Sequence, residues 1–288
     1  MRLRKIVWGS ALAAAVLTIG IAAPAEAQSK SIQIKGSDTM VNLGQSWAEA
    51  FNRKHPGVNI AVTGGGSGTG LTALIGGTCD IAESSRSIEP KEIEKANSKG
   101  IAPKEFLVAM DGIAIVVHPK NPIKNLTIDQ LREIFLGNIA NWKTIGGANK
   151  PIVLLSREFN SGTHIFFKEH VLRRGNAKGP EEFSPGALLM PSSQAIADEV
   201  AGNENAVGYY GMGYISAKQK VIAVSKDAKS PFIEPTMPNV KSKAYPISRP
   251  LFLYTNGEPK GVIKDFVDFV FSPEGQDLVK KIDFVPIK

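Results

Sequence analysis

Short β-prone runs alternate with amphipathic runs along this chain, and this alternation restricts its fold more than any other feature. SIQIK and VNIAV have the pattern of strands. Between them, Leu43, Trp47 and Phe51 share one face of a helix that Pro56 ends. Similar pairs of patterns recur as far as the C-terminal GVIKDFVDFVF. Strands separated by helices pack as layers around largely parallel sheets, so the sequence predicts an α/β fold.

Residues 1–27 have the pattern of a cleavable secretory signal peptide. MRLRK is positively charged, an apolar stretch follows, and Ala25-Glu26-Ala27 forms an A-x-A cleavage site. An uncleaved membrane anchor is the alternative, because the apolar stretch is nearly long enough to span a bilayer. The cleavage site favours removal, and no cysteine follows the apolar stretch to carry a lipid anchor. We therefore expect a soluble mature chain outside the cytoplasm, in the periplasm.

The charge of the mature chain is modest and evenly spread. Loss of residues 1–27 lowers the net charge from +7 to +5, and no run of Lys or Arg exceeds two residues. A nucleic-acid-binding protein would have a denser basic patch. The small positive excess instead predicts a weak attraction for small anions.

The single cysteine, Cys79, excludes an internal disulfide, and its small-residue surroundings favour a buried side chain over a nucleophile. The stability of the fold must then come from a buried core. A mature chain of about 260 residues supplies such a core most readily as two domains.

Three turns rich in Gly, Ser and Thr follow predicted strands and precede predicted helices. They are GSDT at 36–39, GGGSGTG at 64–70 and NSGT at 160–163. The first turn of a helix has backbone N–H groups without internal partners and a positive dipole, so such an end binds phosphate or sulfate. One such turn is an ordinary helix cap. Three of them, one with unusually many glycines, predict an oxyanion site.

Two arginines stand beside two of these turns. Arg86 follows ESS, and Arg157 precedes NSGT by three residues. The planar guanidinium suits bidentate contacts with oxyanions, so both arginines are candidate ligand residues.

Enzymatic motifs fit these turns poorly. GGGSGTG lacks the spacing of a dinucleotide-binding loop, the lysine of a P-loop and the G-x-S-x-G order of a hydrolase. The four histidines have no metal-ligand spacing, and we expect neither a metal nor a cofactor. A secreted serine-type hydrolase of phosphate or acyl esters is an alternative, with Ser67 or Ser161 as nucleophile, but the sequence identifies no base for either.

With these motifs the chain resembles the PstS-type periplasmic phosphate-binding proteins, the solute receptors of bacterial phosphate ABC importers. The resemblance covers essentially all of the mature chain and rests on GSDTM, GGGSGTGL, DIAESSR, RE-x-NSGT and YPISRPLFLY. It implies a type 2 Venus-flytrap fold, in which two α/β lobes joined by a hinge trap the ligand between them. Lobe 1 would comprise residues 28–118 and 246–288, and lobe 2 residues 119–245.

The resemblance also implies a function. We expect a monomeric, non-enzymatic receptor that captures inorganic phosphate and delivers it to the membrane permease subunits of an ABC importer. Sulfate or another tetrahedral oxyanion is the alternative ligand. By position, the implied ligand residues are Asp38, Thr39, Ser67, Gly68, Ser85 and Arg86 of lobe 1, and Arg157, Ser161, Gly162 and Thr163 of lobe 2.

Three positions depart from the usual pattern of that family. Ser85 stands where a carboxylate commonly accepts the proton of bound phosphate, and Asp38 stands where a threonine donor is usual. Phe159 replaces an acidic residue that usually follows the arginine by two positions. We expect that the acceptor has moved to Asp38, with Glu83 and Glu158 as the other candidates; alternatively, Asp38 only caps the following helix.

Overall fold

The structure, a computed structural model, describes residues 30–287, so the predicted signal peptide lies outside the described residues. Eleven strands form within this range. They are β1 Lys30–Gly36, β2 Val58–Thr63, β3 Ile81–Ser84, β4 Pro103–Val117, β5 Asn125–Thr127, β6 Val153–Arg157, β7 Leu188–Met190, β8 Ala206–Gly211, β9 Lys220–Ser225, β10 Ser248–Asn256 and β11 Val285–Pro286.

Helices separate most of these strands, as the alternating sequence pattern predicts. Side-chain hydroxyls accept hydrogen bonds at several of their first turns, for example Thr127 at α4 and Ser192 at α6. The helices are α1 Val41–Lys54, α2 Ser67–Ile75, α3 Pro90–Ser98, α4 Ile128–Phe135, α5 Gly162–Phe167, α6 Ser193–Gly202, α7 Met237–Lys241, α8 Gly261–Phe271 and α9 Pro273–Lys281.

The sheet of lobe 1 is mixed. β1 pairs in parallel with β2 on one side and with β3 on the other, and β10 runs antiparallel to β3. Leu43, Trp47 and Phe51 of α1 are buried in the same core cluster as Ile32 and Ile34 of β1, which confirms the predicted apolar face of this helix. Leu71 and Leu74 of α2 are buried in a separate cluster with Ala82 of β3.

The strands of lobe 2 include a parallel group, in which β6 pairs with both β7 and β8. β5 and β9 also pair in parallel. Phe135, Phe167 and Tyr209 pack at ring-centroid distances of 4.1–5.4 Å in the core of this lobe. Such offset and edge-to-face contacts add to the free energy gained from burying the rings.

The long strand β4 connects the two lobes. Its first part, up to Gly112, pairs with β10, and from Ile113 onward it pairs with β8 and β9. The returning chain crosses beside it, where Ile113 N–H donates to Ile247 O at 2.8 Å and Tyr245 Oη donates to Ile113 O at 2.6 Å. Two adjacent crossings form a hinge; the exact lobe boundaries at 118/119 and 245/246 stay a prediction.

Some elements differ from the sequence patterns. α2 begins at Ser67 rather than at the apolar Leu71, so the Ser-Gly-Thr at 67–69 is itself the first turn of a helix. β4 begins at Pro103, well before the apolar run at its end, because the outer half of a strand at the surface needs no apolar pattern. Cys79 is free and buried, as predicted, and burial raises the pKa of its thiol to about 11.

Among residues 30–287, none of the helices combines the length and the hydrophobicity that crossing a bilayer requires.

Candidate ligand-binding site

The three Gly-, Ser- and Thr-rich turns meet between the two lobes. Gly66 N–H donates to Gly36 O at 2.8 Å, which joins the first two turns within lobe 1. The third turn reaches them from lobe 2. Gly68 N–H donates to Asn160 O at 3.0 Å, and the Thr39 and Thr163 hydroxyl oxygens lie 2.9 Å apart. Turns that are far apart in the chain therefore form one continuous surface.

Strand direction explains why the first two turns coincide. β1 ends at Gly36, and its parallel neighbour β2 ends at Thr63, directly before the second turn. The carboxyl ends of parallel strands lie at one edge of the sheet, where ligands of α/β proteins collect. β6 ends at Arg157 and delivers the third turn in the same way within lobe 2.

Glycine is required where the turns touch. Gly66 has a φ of +96°, and a Cβ added to it would lie 2.7 Å from Asn160 O. A Cβ on Gly162 would lie 2.3 Å from Ser67 Oγ and 2.8 Å from Ser85 Oγ. All three distances are shorter than van der Waals contact, so larger residues at these two positions are incompatible with this approach of the lobes.

The hydroxyls of Ser67 and Ser161 are arranged as hydrogen-bond donors. Ser67 Oγ accepts the N–H of Ser85 at 3.0 Å. Ser161 Oγ accepts the N–H groups of Thr163 and His164 at 3.2 and 3.4 Å. A hydroxyl has one proton and two lone pairs. Both lone pairs of Ser161 are occupied, so its proton remains to be donated, whereas the proton of Ser67 is free or shared with Ser85 Oγ at 3.3 Å. Such a set of donors suits an oxyanion.

Arg157 is almost completely buried, with a relative exposure of 1%. Its Nη1 lies 3.0 Å from Asp38 Oδ2 and donates to Ser193 Oγ at 3.0 Å, while Nη2 donates to Pro191 O at 3.0 Å and Nε to Met190 O at 3.3 Å. A guanidinium has five N–H groups. Within the described residues at least one of them, on Nη2, therefore has no protein acceptor.

Asp38 reaches from lobe 1 to two groups of lobe 2. Besides the contact with Arg157, its Oδ2 accepts the N–H of Ser193, the first residue of α6, at 2.7 Å. Its side chain does not cap α1, which begins at Val41 with no side-chain hydrogen bond at the cap. In the part of the chain that the structure describes, Oδ1 has no hydrogen-bond partner, and it lies 3.9 Å from the position of a Cβ on Gly64.

The remaining candidates of lobe 1 lie against the same surface but differ in their partners. Ser85 is buried, and its Oγ lies 3.3 Å from Ser67 Oγ. Arg86 is also buried, and its Nη2 lies 3.8 Å from a Cβ placed on Gly68. However, both terminal nitrogens of Arg86 donate to Glu92, at 2.8 Å each. Its charge is thus balanced within lobe 1.

The two alternative proton acceptors differ in their surroundings. Glu83 is fully buried, and a Cβ on Gly44 of α1 would lie 2.3 Å from its Oε1. Neither of its carboxyl oxygens has a partner among the described residues, and burial raises its pKa well above the usual range. Its carboxyl group therefore faces α1. Glu158 is exposed.

No base contacts either candidate nucleophile in the described residues. His164 approaches Ser161 only through its backbone N–H, whereas its ring Nδ1 lies 3.2 Å from Ser156 Oγ. Burial lowers the pKa of His164 to about 4, so its imidazole is neutral near pH 7. The arrangement that a serine hydrolase needs is absent from this surface.

Two further residues connect the turns. Asn160 Nδ2 donates to Gly65 O at 2.8 Å across the cleft. Arg249, buried on β10, donates from Nη2 to Thr39 Oγ1 at 3.2 Å. Asn160 lies within a motif that the sequence singled out, and Arg249 is the arginine of YPISRPLFLY. Arg249 is far from the turns in the sequence, so no sequence pattern indicated that it contacts Thr39.

Metal ligands are not grouped in this structure: across residues 30–287, no three His, Cys, Asp or Glu side chains are placed to hold a metal ion.

Comparison with known sequences identifies the family. The family model for the PBP superfamily domain matches residues 22–274. The phosphate-binding protein PstS of Pseudomonas aeruginosa is 34% identical over 97% of this chain and 91% of its own length. The chain belongs to the PstS family. The PstS of Bacillus subtilis is 33% identical over 91% of this chain and 82% of its own length.

Solved structures of the PstS family agree with this fold. A Clostridium perfringens protein, assigned as a phosphate ABC transporter substrate-binding protein and solved with bound phosphate, is 35% identical with a TM-score of 0.81. The alignment covers 90% of this chain and all of that one. An ABC-type phosphate transport receptor from Vibrio cholerae is 30% identical, with a TM-score of 0.69, over 89% of this chain and all of the other. The predicted two-domain periplasmic-binding-protein fold of the PstS family is thus confirmed.

Proposed function

We propose that this chain is an extracytoplasmic receptor that captures inorganic phosphate between its two lobes and delivers it to the permease of an ABC importer. The observation that carries this proposal is the meeting of three donor-rich turns from both lobes at Thr39, Ser67, Ser161 and Thr163. Membership of the PstS family supports the same ligand. The protein is a binding protein and not an enzyme.

The proposed ligand residues are those that the sequence identified. Thr39, Ser67, Ser85, Ser161 and Thr163 would supply hydroxyl or backbone donors, and Gly68 and Gly162 would allow close approach of the backbone. Arg157 would contribute its remaining N–H and a positive charge beneath the anion. Arg86, which is paired with Glu92, would act through the local field rather than by direct contact.

Selectivity for phosphate over sulfate would rest on Asp38. Phosphate near neutral pH still has a proton to donate, and sulfate has none. Asp38 Oδ1, which has no partner among the described residues, would accept that proton. Facing sulfate, the same oxygen would be an unpaired like charge, which is costly in a buried site.

Titration calorimetry of residues 28–288 with phosphate, arsenate and sulfate tests this function. We expect a single site for phosphate, competition by arsenate and no heat of binding for sulfate. Equal binding of sulfate would show that the protein is a general oxyanion receptor and not a phosphate receptor. Turnover of a chromogenic phosphoester would indicate an enzyme.

Light scattering during gel filtration tests whether the protein is a monomer. Cross-linking to the permease of the same cell tests whether the protein delivers its ligand to that permease.

A further inference from the structure

A buried ion pair lies at the hinge, below the candidate site. Asp111 of β4 and Arg249 of β10 are directly opposite each other in the antiparallel pairing, and both are 0% exposed. Arg249 Nε donates to Asp111 Oδ2 at 2.9 Å, and Nη2 lies 2.8 Å from the same oxygen. The pair stands next to the point where β4 changes its partner from lobe 1 to lobe 2.

Asp111 connects this pair to lobe 2. Its Oδ1 accepts the N–H of Met212, which directly follows β8, at 3.0 Å. The packing here is close, because a Cβ on Gly211 would lie 2.8 Å from Asp111 Oδ2 and 2.7 Å from the methyl group of Thr39. The carboxylate is therefore fixed from both lobes.

Arg249 connects the same pair to the ligand turns. Its Nη1 donates to Ser85 O at 3.1 Å and its Nη2 to Thr39 Oγ1 at 3.2 Å. The guanidinium carbon also lies 5.9 Å from the ring centroid of Phe166, on α5 of lobe 2. One side chain thus spans the distance from the hinge to the first turn, at Thr39, and to the backbone of Ser85.

The contact with Arg249 determines what the Thr39 hydroxyl can do. A guanidinium only donates, so it occupies a lone pair of Thr39 Oγ1 and leaves the hydroxyl proton free. That proton points away from Arg249, toward the side on which Thr163 Oγ1 lies at 2.9 Å, and either of these two hydroxyls can donate to the other. The contact with Arg249 therefore favours Thr39 as a donor on the cleft side.

We propose that Arg249 is a positioning residue for ligand capture: Asp111 holds it, and it orients the Thr39 hydroxyl as a donor to the anion. The inference rests on the proposed phosphate site, although Arg249 itself need not touch the ligand. A buried ion pair contributes little net stability compared with apolar residues of the same volume. Apolar residues in place of Asp111 and Arg249 could not orient the Thr39 hydroxyl, so the positioning role accounts for an ion pair at this point.

A double-mutant cycle between Arg249 and Thr39 tests the proposal. Arg249→Lys keeps a positive charge near Asp111 but lacks the planar fork that reaches both Thr39 and Ser85. Thr39→Val keeps the shape of the side chain and removes the hydroxyl. Phosphate affinity is measured by calorimetry and, for weak variants, by the shift of melting temperature at millimolar phosphate. Arg132→Lys, at an arginine that pairs with Glu181 outside the cleft, is the matched control.

We expect Arg249→Lys to weaken phosphate binding about tenfold in the wild-type background and no more than about threefold in the Thr39→Val background. In a Thr39→Ser background, which retains the hydroxyl, the roughly tenfold loss should return. An equal loss in all three backgrounds, or none in any, would overturn the proposal.

Folding is checked by circular dichroism and thermal melting without phosphate. If Arg249→Lys does not fold, the cycle is repeated with the double variant Asp111→Asn/Arg249→Gln, which removes both charges together. If that variant also fails to fold, the pair is a folding element and the positioning role is excluded. Failure of the wild-type chain to bind phosphate would instead contradict the proposed function.

Discussion

Asp38 of lobe 1 and Arg157 of lobe 2 form an ion pair across the cleft, with 3.0 Å between Oδ2 and Nη1. The same Asp38 oxygen accepts the first N–H of α6, at Ser193. A carboxylate at a helix N-terminus is stabilised by the helix dipole, so this one residue joins lobe 1 to a cation and to a helix N-terminus of lobe 2. If Asp38 also accepts the proton of phosphate, as proposed, closure and ligand recognition are coupled through this residue.

Arg157→Ala should weaken phosphate binding by orders of magnitude. The substitution removes the buried cation and leaves Asp38 with an uncompensated charge, and loss of one partner of such a pair costs about 3–5 kcal/mol. Arg86→Ala is the comparison, because its guanidinium is paired with Glu92 and its loss should lower stability more than affinity. Calorimetry and thermal melting of both variants separate the two effects. Near-normal binding by Arg157→Ala would remove this residue from the site.

Asp38→Asn should shift the anion selectivity of the protein from phosphate toward sulfate. The amide keeps the shape of the side chain but replaces one acceptor oxygen with a donor, so the variant should lose phosphate affinity and bind sulfate. Asp129→Asn, at an exposed carboxylate paired with Arg174, is the matched control and should leave phosphate affinity and sulfate rejection unchanged. Competition titrations with the two anions measure the change. A variant that still binds phosphate tightly and rejects sulfate would place the proton acceptor elsewhere.

The sequence predicted the three turns because their chemistry is local. Gly66 stands where two backbones touch, and Gly162 stands where the backbone meets the Ser67 and Ser85 side chains. A run of Gly, Ser and Thr between a strand and a helix is visible without a structure. The partners of Asp38 and Arg249 were not predictable in the same way. Asp38 bonds a residue 155 positions away, and Arg249 one 138 positions away, so only the folded arrangement of lobes reveals them.

Gly162→Ala should prevent the lobes from meeting. Its new Cβ would lie 2.3 Å from Ser67 Oγ, so ligand affinity should fall at least about tenfold, while the unliganded chain opens to relieve the clash. Gly202→Ala is a suitable control, since nothing lies within 4 Å of a Cβ there. Phosphate titration of both variants tests this effect. Equal affinities would mean that the turns do not approach this closely when ligand is bound.

Stability should depend on pH through His164. Burial lowers its pKa in the folded state to about 4, below its ordinary value of 6.5. The unfolded chain therefore binds the proton more readily, and the contribution of neutral His164 is complete above about pH 6.5 and is lost as pH falls toward 4. The loss is on the order of 3 kcal/mol.

Urea unfolding at a series of pH values between 4 and 7 measures this dependence. The His164→Asn variant should lose stability less steeply than the wild type across that range. His55→Asn, at an exposed histidine, should retain the wild-type slope. Parallel curves for the wild type and His164→Asn would contradict the assignment.

Small-angle scattering of the mature chain tests the central claim, that two lobes close on phosphate, most directly. Thr39 and Thr163 meet across the cleft in the closed arrangement, and ligand donors are divided between the lobes. Such division produces a hinge motion on binding. The radius of gyration should decrease when phosphate is added and stay constant with sulfate. An unchanged radius, with phosphate binding confirmed by calorimetry in the same sample, would contradict the two-lobe capture of phosphate.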